Sequence, residues 1–232
     1  MRVLLVSGAS GIGRAIASAV LDSGGEVVLA GRRREPLDAA TAELGPRASA
    51  VVIDLADGPS IAQAAVAVGP VDHVVSLTAD HANGPVADLD GAAVRHAFDA
   101  KVIGPILLAK HFAPYLQGGG SFLFFSGVAA WKPALGLSVM ATTNGAVAFL
   151  AEALAVELAP LRVNALSPGI VDSGAWDSMG SGKDTLFADT ACANPVGRVG
   201  QPSDIAAAAL SLLTNTFVTG VTLHVDGGGR LA

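Results

Sequence analysis

Short apolar runs alternate along the chain with longer segments in which apolar residues recur at helical spacing. Most of the short runs are continuously apolar rather than alternating, which is typical of strands that are buried on both faces of a sheet. They predict seven strands, at Val3–Ser7, Glu26–Ala30, Ala50–Ile53, His73–Leu77, Ser121–Phe125, Arg162–Ala165 and Thr222–Val225.

The longer segments predict six helices, at Ile12–Leu21, Glu35–Leu44, Ser60–Ala67, Ala92–Leu116, Ser138–Leu158 and Ser203–Leu213. Strands and helices that alternate in this way form a parallel sheet, because each right-handed crossover places its helix on a sheet face. We therefore expect an α/β fold of the Rossmann type: a doubly wound, seven-stranded parallel sheet with helices on both faces. A length of 232 residues suits one dinucleotide-binding domain that spans residues 1–232.

The predicted helices 92–116 and 138–158 are apolar over more than one face. One face can pack on the sheet, and the other needs a further partner. We expect these two helices to form the interface of a homo-oligomer, either a dimer or a tetramer. The alternative is that the long loop after Pro168 covers them.

Composition and net charge limit the binding partners and the cellular location that we expect. Apolar residues make up 51% of the chain and charged residues 15%, and a net charge of −6 argues against nucleic acid and anionic membranes as partners. No run of about 18 apolar residues is free of Pro, Gly, His or charge, so no transmembrane helix is predicted. Cys192 is the only cysteine, and the first strand begins too early for a signal peptide, so we expect a cytoplasmic protein. No His, Cys, Asp or Glu cluster has metal-ligand spacing, so no metal is expected.

A glycine-rich turn joins the first strand to the first helix. Glycine lets the backbone approach a phosphate closely, and the free N–H groups at the start of the helix attract its negative charge. A tight turn without a ligand is the alternative. The turn therefore predicts a pyrophosphate site formed by Gly8, Ser10, Gly11, Ile12 and Gly13.

The end of the second strand indicates which dinucleotide is bound. An acidic residue there would bind the ribose 2′-OH of NAD(H), but this chain has Gly31 followed by Arg32, Arg33 and Arg34. Arg32 can hold a 2′-phosphate with two parallel hydrogen bonds, so we expect NADP(H) rather than NAD(H). For Arg33 and Arg34, a solvated position at the helix start is the simpler interpretation. Asp54-Leu55, after the third strand, is placed to meet the adenine, with an exposed turn as the alternative.

These and later motifs resemble those of the short-chain dehydrogenase/reductase superfamily over nearly the whole chain. The resemblance implies that Pro168, Gly169, Ile170 and Ser173 hold the nicotinamide carboxamide, and that a loop at about residues 170–199 covers the substrate. The matching segments are Ser7–Gly13, Asp54-Leu55, Arg162–Asn164, Ser167–Val171, Pro195–Arg198 and Val225–Gly228.

The residues that the resemblance would make catalytic are replaced. The family's Tyr and Lys, four residues apart on the helix after the fifth strand, become Met140 and Asn144, and its Ser becomes Gly127. Its helix Asn becomes Lys101. Its Asn-Asn-Ala-Gly stretch becomes Ser76–Ala79, which leaves Thr78 and Ala79 beside the cofactor.

Lys101 is the best substitute for the missing groups. Met140 has no acidic proton, and losing a general acid costs about 10²–10⁴ in rate. An ammonium at Lys101 can hold the nicotinamide ribose, polarise a substrate carbonyl or act as the acid, while Asn144 can hydrogen-bond the ribose hydroxyls. The alternative for Lys101 is an ordinary solvated lysine.

Other polar residues are weaker candidates. Strand alternation should turn Ser126 away from the pocket, while Ser138 lies close enough to Met140 to reach it. His81 lies near the expected substrate entrance, but like His96 it suits a surface position better. Four further residues could line an apolar substrate pocket, and ordinary packing is an equally good interpretation of them: Trp131, Met140, Trp176 and Met179.

The sequence therefore predicts an NADPH-dependent oxidoreductase with a non-standard catalytic site. Its substrate would be a small molecule, apolar or bearing an activated C=N, C=C or C=O bond that needs little help from an acid. Two alternatives remain open: a cofactor-binding sensor or scaffold subunit without turnover, and a non-redox isomerase, lyase or cyclase on the same fold.

Overall fold

A computed structural model describes all residues, 1–232, and contains a seven-stranded, all-parallel sheet. The order of the strands across the sheet is β3-β2-β1-β4-β5-β6-β7. This order reverses direction beside β1, as in a doubly wound sheet that binds ligands at the crossover point. The strands are β1 Arg2–Val6, β2 Glu26–Gly31, β3 Ala48–Val52, β4 Val71–Ser76, β5 Leu116–Phe125, β6 Arg162–Pro168 and β7 Thr222–Val225.

Helices cover both faces of this sheet, so the predicted fold class is confirmed. The apolar core on one face includes side chains of α3, α5 and α6, and the core on the other face includes those of α1, α2 and α8. The helices are α1 Gly11–Asp22, α2 Arg34–Leu44, α3 Gly58–Val68, α4 Gly91–Phe98, α5 Gly104–Phe112, α6 Ser138–Glu157, α7 Gly182–Ala193 and α8 Pro202–Thr214.

The prediction of one regular helix over Ala92–Leu116 is wrong. A π turn at Asp99–Ile103 separates α4 from α5, and α5 ends at Phe112. Pro105 has no backbone N–H, and in a regular helix its ring would clash with the carbonyl of Lys101. The wider π turn accommodates this break, so the irregular backbone falls at Lys101.

Two further predictions need correction. Strand β5 begins at Leu116 rather than Ser121, and its pairing with β4 shifts in register between Val71 and His73. The glycines at 118–120 have no apolar side chains, so the apolar pattern did not predict this part of the strand. The predicted loop at residues 170–199 contains helix α7, which has no buried residue and therefore no periodic apolar face.

Helix α6 is long and apolar enough to cross a membrane when judged by length and composition alone. Several of its side chains, including Val147, Ala151 and Leu154, are instead part of the core on the sheet. A core helix passes the same test, so this helix alone gives no evidence for a membrane protein.

Candidate active site

The predicted pyrophosphate turn forms a tight loop at the carboxyl end of β1. A Cβ atom on Gly11, whose φ is +51°, would lie 2.7 Å from the carbonyl oxygen of Ser173, and one on Gly13 would lie 2.5 Å from that of Ser7. Only glycine fits these approaches. Ser10 is the N-cap of α1, but its side chain makes no capping hydrogen bond and the first turn has no acidic residue. The start of α1 therefore remains available to an anion.

A cavity of about 390 Å³ opens beside this loop. It is bounded on one side by the glycine turn and on the other by the ends of β4 and β5 and the segment after β6. A phosphate group placed here would meet the free N–H groups of α1. The cavity is lined by Ser7, Ser10, Gly11, Ile12, Gly13, Leu77, Phe125, Ser173, Gly174 and Ala175.

A hydroxyl pair that the sequence did not reveal joins two of the loops. Ser7 adopts a positive φ of +66°, which is unusual for a residue with a side chain. Its Oγ lies 3.3 Å from Oγ1 of Thr78. Thr78 thus lies next to the glycine turn as predicted, while Ala79 is exposed beyond it.

The residues predicted to choose the dinucleotide lie in different environments. Arg32 is exposed and makes no hydrogen bond through its side chain, whereas Arg34 pairs with Asp38 at 2.8 Å. Asp54 is half-buried, and its Oδ1 accepts a hydrogen bond of 3.0 Å from the backbone N–H of Ala56. Leu55 is buried in the core, which leaves Asp54 as the polar side chain of that pair.

The predicted carboxamide clamp lies partly in the cavity and partly outside it. Ser173 lines the cavity, and the N–H of Gly169 donates to Val225 at 3.1 Å, which fixes the turn that follows Pro168. Ile170 instead lines a separate cavity of about 150 Å³, together with Arg198 and Asp226. Gly169 packs closely against Asp226, where a Cβ atom would lie 2.8 Å from its Cα.

Lys101 is buried next to the end of β5, with 6% of its surface exposed. Its Nζ donates one long hydrogen bond of 3.5 Å to the carbonyl of Ser126 and forms no ion pair. Burial lowers the pKa of this amine to about 8. An unpaired buried cation is costly for stability, so it marks a functional position more often than a structural one. The alternative of a solvated lysine is wrong.

Gly127 and Asn144, at the positions where the resemblance implies a Ser and a Lys, lie against one another. A Cβ atom on Gly127 would be 2.8 Å from Nδ2 of Asn144. The backbone carbonyl of Asn144 accepts the hydroxyl of Ser126 at 2.8 Å, so Ser126 is committed to holding β5 and α6 together. Met140, one turn before Asn144 on α6, is half-buried. The structure thus brings the altered positions 101, 127 and 144 to one end of β5.

The weaker candidates are placed elsewhere or have structural partners. Ser138 is exposed at the start of α6, and both His81 and His96 are exposed as expected. The suggestion that Ser138 reaches the site therefore has no support from its position. The ring of Trp131 packs edge-on to His224 at 4.8 Å. Trp176 donates to the carbonyl of Val171, and Met179 is exposed.

An ion-pair cluster in the covering segment was missed by sequence reasoning. Lys183 on α7 contacts Asp172 at 2.9 Å and Asp177 at 2.7 Å. Asp172 directly precedes Ser173, so this cluster ties α7 to the edge of the cavity. The charges are far apart in sequence and follow no helical spacing, so no local pattern signals the pairing.

Comparison with known proteins defines the class. A family model described as Enoyl-(Acyl carrier protein) reductase matches residues 6–229. "Short-chain dehydrogenase/reductase ucsE" of Acremonium sp. is 32% identical, with 99% of this chain and 95% of that protein covered. The chain belongs to the short-chain dehydrogenase/reductase superfamily, and it is an oxidoreductase by this relationship.

Two solved structures share the fold over nearly their full length. A small-chain dehydrogenase in complex with NADPH is 32% identical with a TM-score of 0.87, covering 100% of this chain and 99% of that one. The MalC Reductase/Diels-Alderase from Malbranchea aurantiaca is 28% identical with a TM-score of 0.92, covering 99% and 96%.

Proposed function

We propose that the protein is an NADPH-dependent oxidoreductase in which Lys101 provides the positive charge at the reacting centre. The observation that carries this proposal is the burial of Lys101 without an ion-pair partner, beside the peptide that links Ser126 to Gly127. An unpaired ammonium in the interior is costly for stability unless a bound molecule uses its charge.

Residues that follow the ends of β1, β2 and β3 have the chemistry to bind a dinucleotide with a 2′-phosphate. The uncapped start of α1 suits the pyrophosphate, and the unpartnered guanidinium of Arg32 suits the additional phosphate. Asp54 would contact the adenine end of the cofactor. Ser173, together with the turn after Pro168, would hold the nicotinamide carboxamide. The similar chain solved with NADPH supports this choice of cofactor.

Lys101 then has a specific task in the reaction. NADPH, when bound, supplies a hydride to the substrate carbon. The electron pair released from the substrate double bond moves to its far atom, which must be stabilised and protonated. With a pKa near 8, the Nζ of Lys101 is largely protonated at neutral pH. It can therefore stabilise that atom or give it a proton.

Titration of the full-length protein with NADPH and with NADH, followed by cofactor fluorescence, tests the first part of the proposal. We expect NADPH to bind more tightly, and the preference to fall in Arg32→Ala because one charge-assisted contact to phosphate is lost. Arg33→Ala is the matched control. Loss of reduced-cofactor absorbance with a panel of ketones, enones and imines then tests turnover.

A non-redox reaction in the same pocket is the second candidate. The similar MalC protein is named as both a reductase and a Diels-Alderase, so this fold supports bond formation without net reduction. Formation of a product from the panel with unchanged cofactor absorbance would favour this candidate. NADPH binding without any product would favour a sensor or scaffold subunit.

We also propose that the protein assembles as a homo-oligomer through α5 and α6. Ile106 on α5 and Phe149 and Val156 on α6 are exposed, with Phe149 at 71% and Val156 at 82%. Apolar side chains on neighbouring helices form a patch that a second copy can cover. Light scattering of the full chain tests this, and a monomer at micromolar concentration would contradict it.

A further inference from the structure

Gly127 has no side chain, and this leaves room for the side-chain amide of Asn144. A Cβ atom on Gly127 would lie 2.8 Å from Nδ2, 3.2 Å from Cγ and 3.3 Å from Oδ1 of Asn144. The backbone of Gly127 is extended, with φ 176° and ψ 155°, and any residue can adopt this conformation. The glycine is therefore needed for the space that the amide occupies and not for its backbone angles.

This amide is held in place but makes no hydrogen bond through its side chain. Asn144 is 4% exposed, and only its backbone carbonyl is engaged, by the hydroxyl of Ser126. The side-chain atoms that are fully shielded from solvent and lack a hydrogen-bond partner belong to other residues. The side-chain amide of Asn144 also lacks a partner, so it keeps a small area exposed to solvent. A buried amide group that lacks a protein partner is costly unless a ligand pairs with it.

A second donor approaches the same peptide from another helix. The Nζ of Lys101 donates to the carbonyl of Ser126, and the amide of Asn144 lies against the next residue, Gly127. No carboxylate pairs with Lys101. Two hydrogen-bond donors, one of them cationic, thus converge on the end of β5, with no acidic group to balance them.

We propose that Lys101 and Asn144 form a donor pair for the oxygen atom of a carbonyl-type substrate, and that Gly127 exists to admit the Asn144 amide. This inference rests on the proposed function and narrows its substrate class. A ketone or enone presents an oxygen that accepts from both donors and gains negative charge as it is reduced. A cationic iminium presents no acceptor, and the Lys101 ammonium repels it.

Two matched probes separate these substrate classes in the full-length protein loaded with NADP⁺, which supplies no hydride. They are 1-tetralone, a neutral ketone, and the 2-methyl-3,4-dihydroisoquinolinium ion, a cationic iminium of similar shape. The side-chain NH₂ signals of Asn144 are assigned by their loss in Asn144→Asp. We expect the ketone to shift these signals and the iminium ion to leave them in place. No shift with the ketone, or an equal shift with both probes, overturns the proposal.

The affinity for 1-tetralone at saturating NADP⁺ gives an independent readout. Asn144→Leu removes the donor and Gly127→Ala displaces it, so each should weaken ketone binding about tenfold, the effect of one hydrogen bond. Thr142→Val, an exposed change on the same helix, is the control and should match the wild type. Unchanged ketone affinity in both site variants contradicts the proposal. Failure of the protein to bind NADP⁺ at all is a separate result, which would refute the proposed function itself.

Discussion

Among single residues, three positions of the candidate site lie together at the end of β5: Lys101, Gly127 and Asn144. A positive charge is absent from position 144 and present at position 101, and a side chain is absent at 127 where the Asn144 amide needs room. The sequence draws attention to all three positions, and the catalytic role of Lys101 stays a prediction. The sequence did not reveal that Gly127 and Asn144 depend on one another, because that contact joins a loop to a helix and follows no local spacing.

The charge state of Lys101 gives a prediction for pH dependence. Burial lowers the pKa of its amine to about 8, so the ammonium dominates below pH 8 and the neutral amine above it. We expect the rate of NADPH oxidation to be constant below pH 8 and to fall above it. In Lys101→Arg, which stays charged, the fall near pH 8 should disappear. A wild-type profile that rises through pH 8 would show that the neutral amine is the active form.

At the scale of elements, the two irregular features of the backbone carry the site. The glycine turn holds the start of α1 open, and the π turn at residues 99–103 presents Lys101 to the end of β5. The glycine turn was predictable because its residues are consecutive in sequence. The sequence does not reveal the π turn, because the apolar spacing of 92–116 continues across the Gly104-Pro105 pair.

The glycine turn allows a matched pair of substitutions. Gly11→Ala and Gly24→Ala both place a side chain at positive φ, at about 1 kcal/mol of backbone strain. Only at Gly11 would the new methyl group also meet the Ser173 carbonyl, at 2.7 Å, whereas nothing lies within 4 Å at Gly24. We expect Gly11→Ala to unfold at lower denaturant concentration than Gly24→Ala and to lose NADPH binding. Equal binding by the two variants in a fluorescence titration would contradict the assigned role of the turn.

At the scale of the whole molecule, the sheet and its two helical layers followed from the apolar pattern. Strands such as β1 and β4 are buried on both faces, so their runs are continuously apolar and easily recognised. The covering segment was predicted as a loop, and helix α7 within it was missed. This helix has no buried residue and is linked to Asp172 and Asp177 by ion pairs of Lys183, contacts that sequence periodicity cannot reveal.

The buried His73 in β4 makes global stability depend on pH. Burial lowers the pKa of its imidazole to about 4, and its Nδ1 lies 2.9 Å from Oγ of Ser121. The unfolded chain protonates this histidine near pH 6.5, so it binds more protons than the folded state between pH 6.5 and 4. The free energy of unfolding should therefore fall by about 3 kcal/mol from this group as the pH drops through that range.

Urea unfolding at pH 7 and pH 4 measures this effect, with His73→Gln as the non-titrating comparison. Other groups titrate in both proteins, so the difference between their pH responses isolates His73. Identical losses of stability in the two proteins would show that this histidine is not held neutral in the fold.

We propose above that Lys101 acts at the reacting centre of an NADPH-dependent oxidoreductase. The most direct test is the rate of NADPH oxidation with the best ketone of the panel, measured at saturating cofactor for the wild type, Lys101→Met and Lys110→Met. Lys110 is exposed on α5 and serves as the control. We expect the rate to fall about 10²–10³-fold for Lys101→Met, the effect of removing one charge-stabilising donor, and to stay at the wild-type value for Lys110→Met. A wild-type rate for Lys101→Met would contradict the proposal.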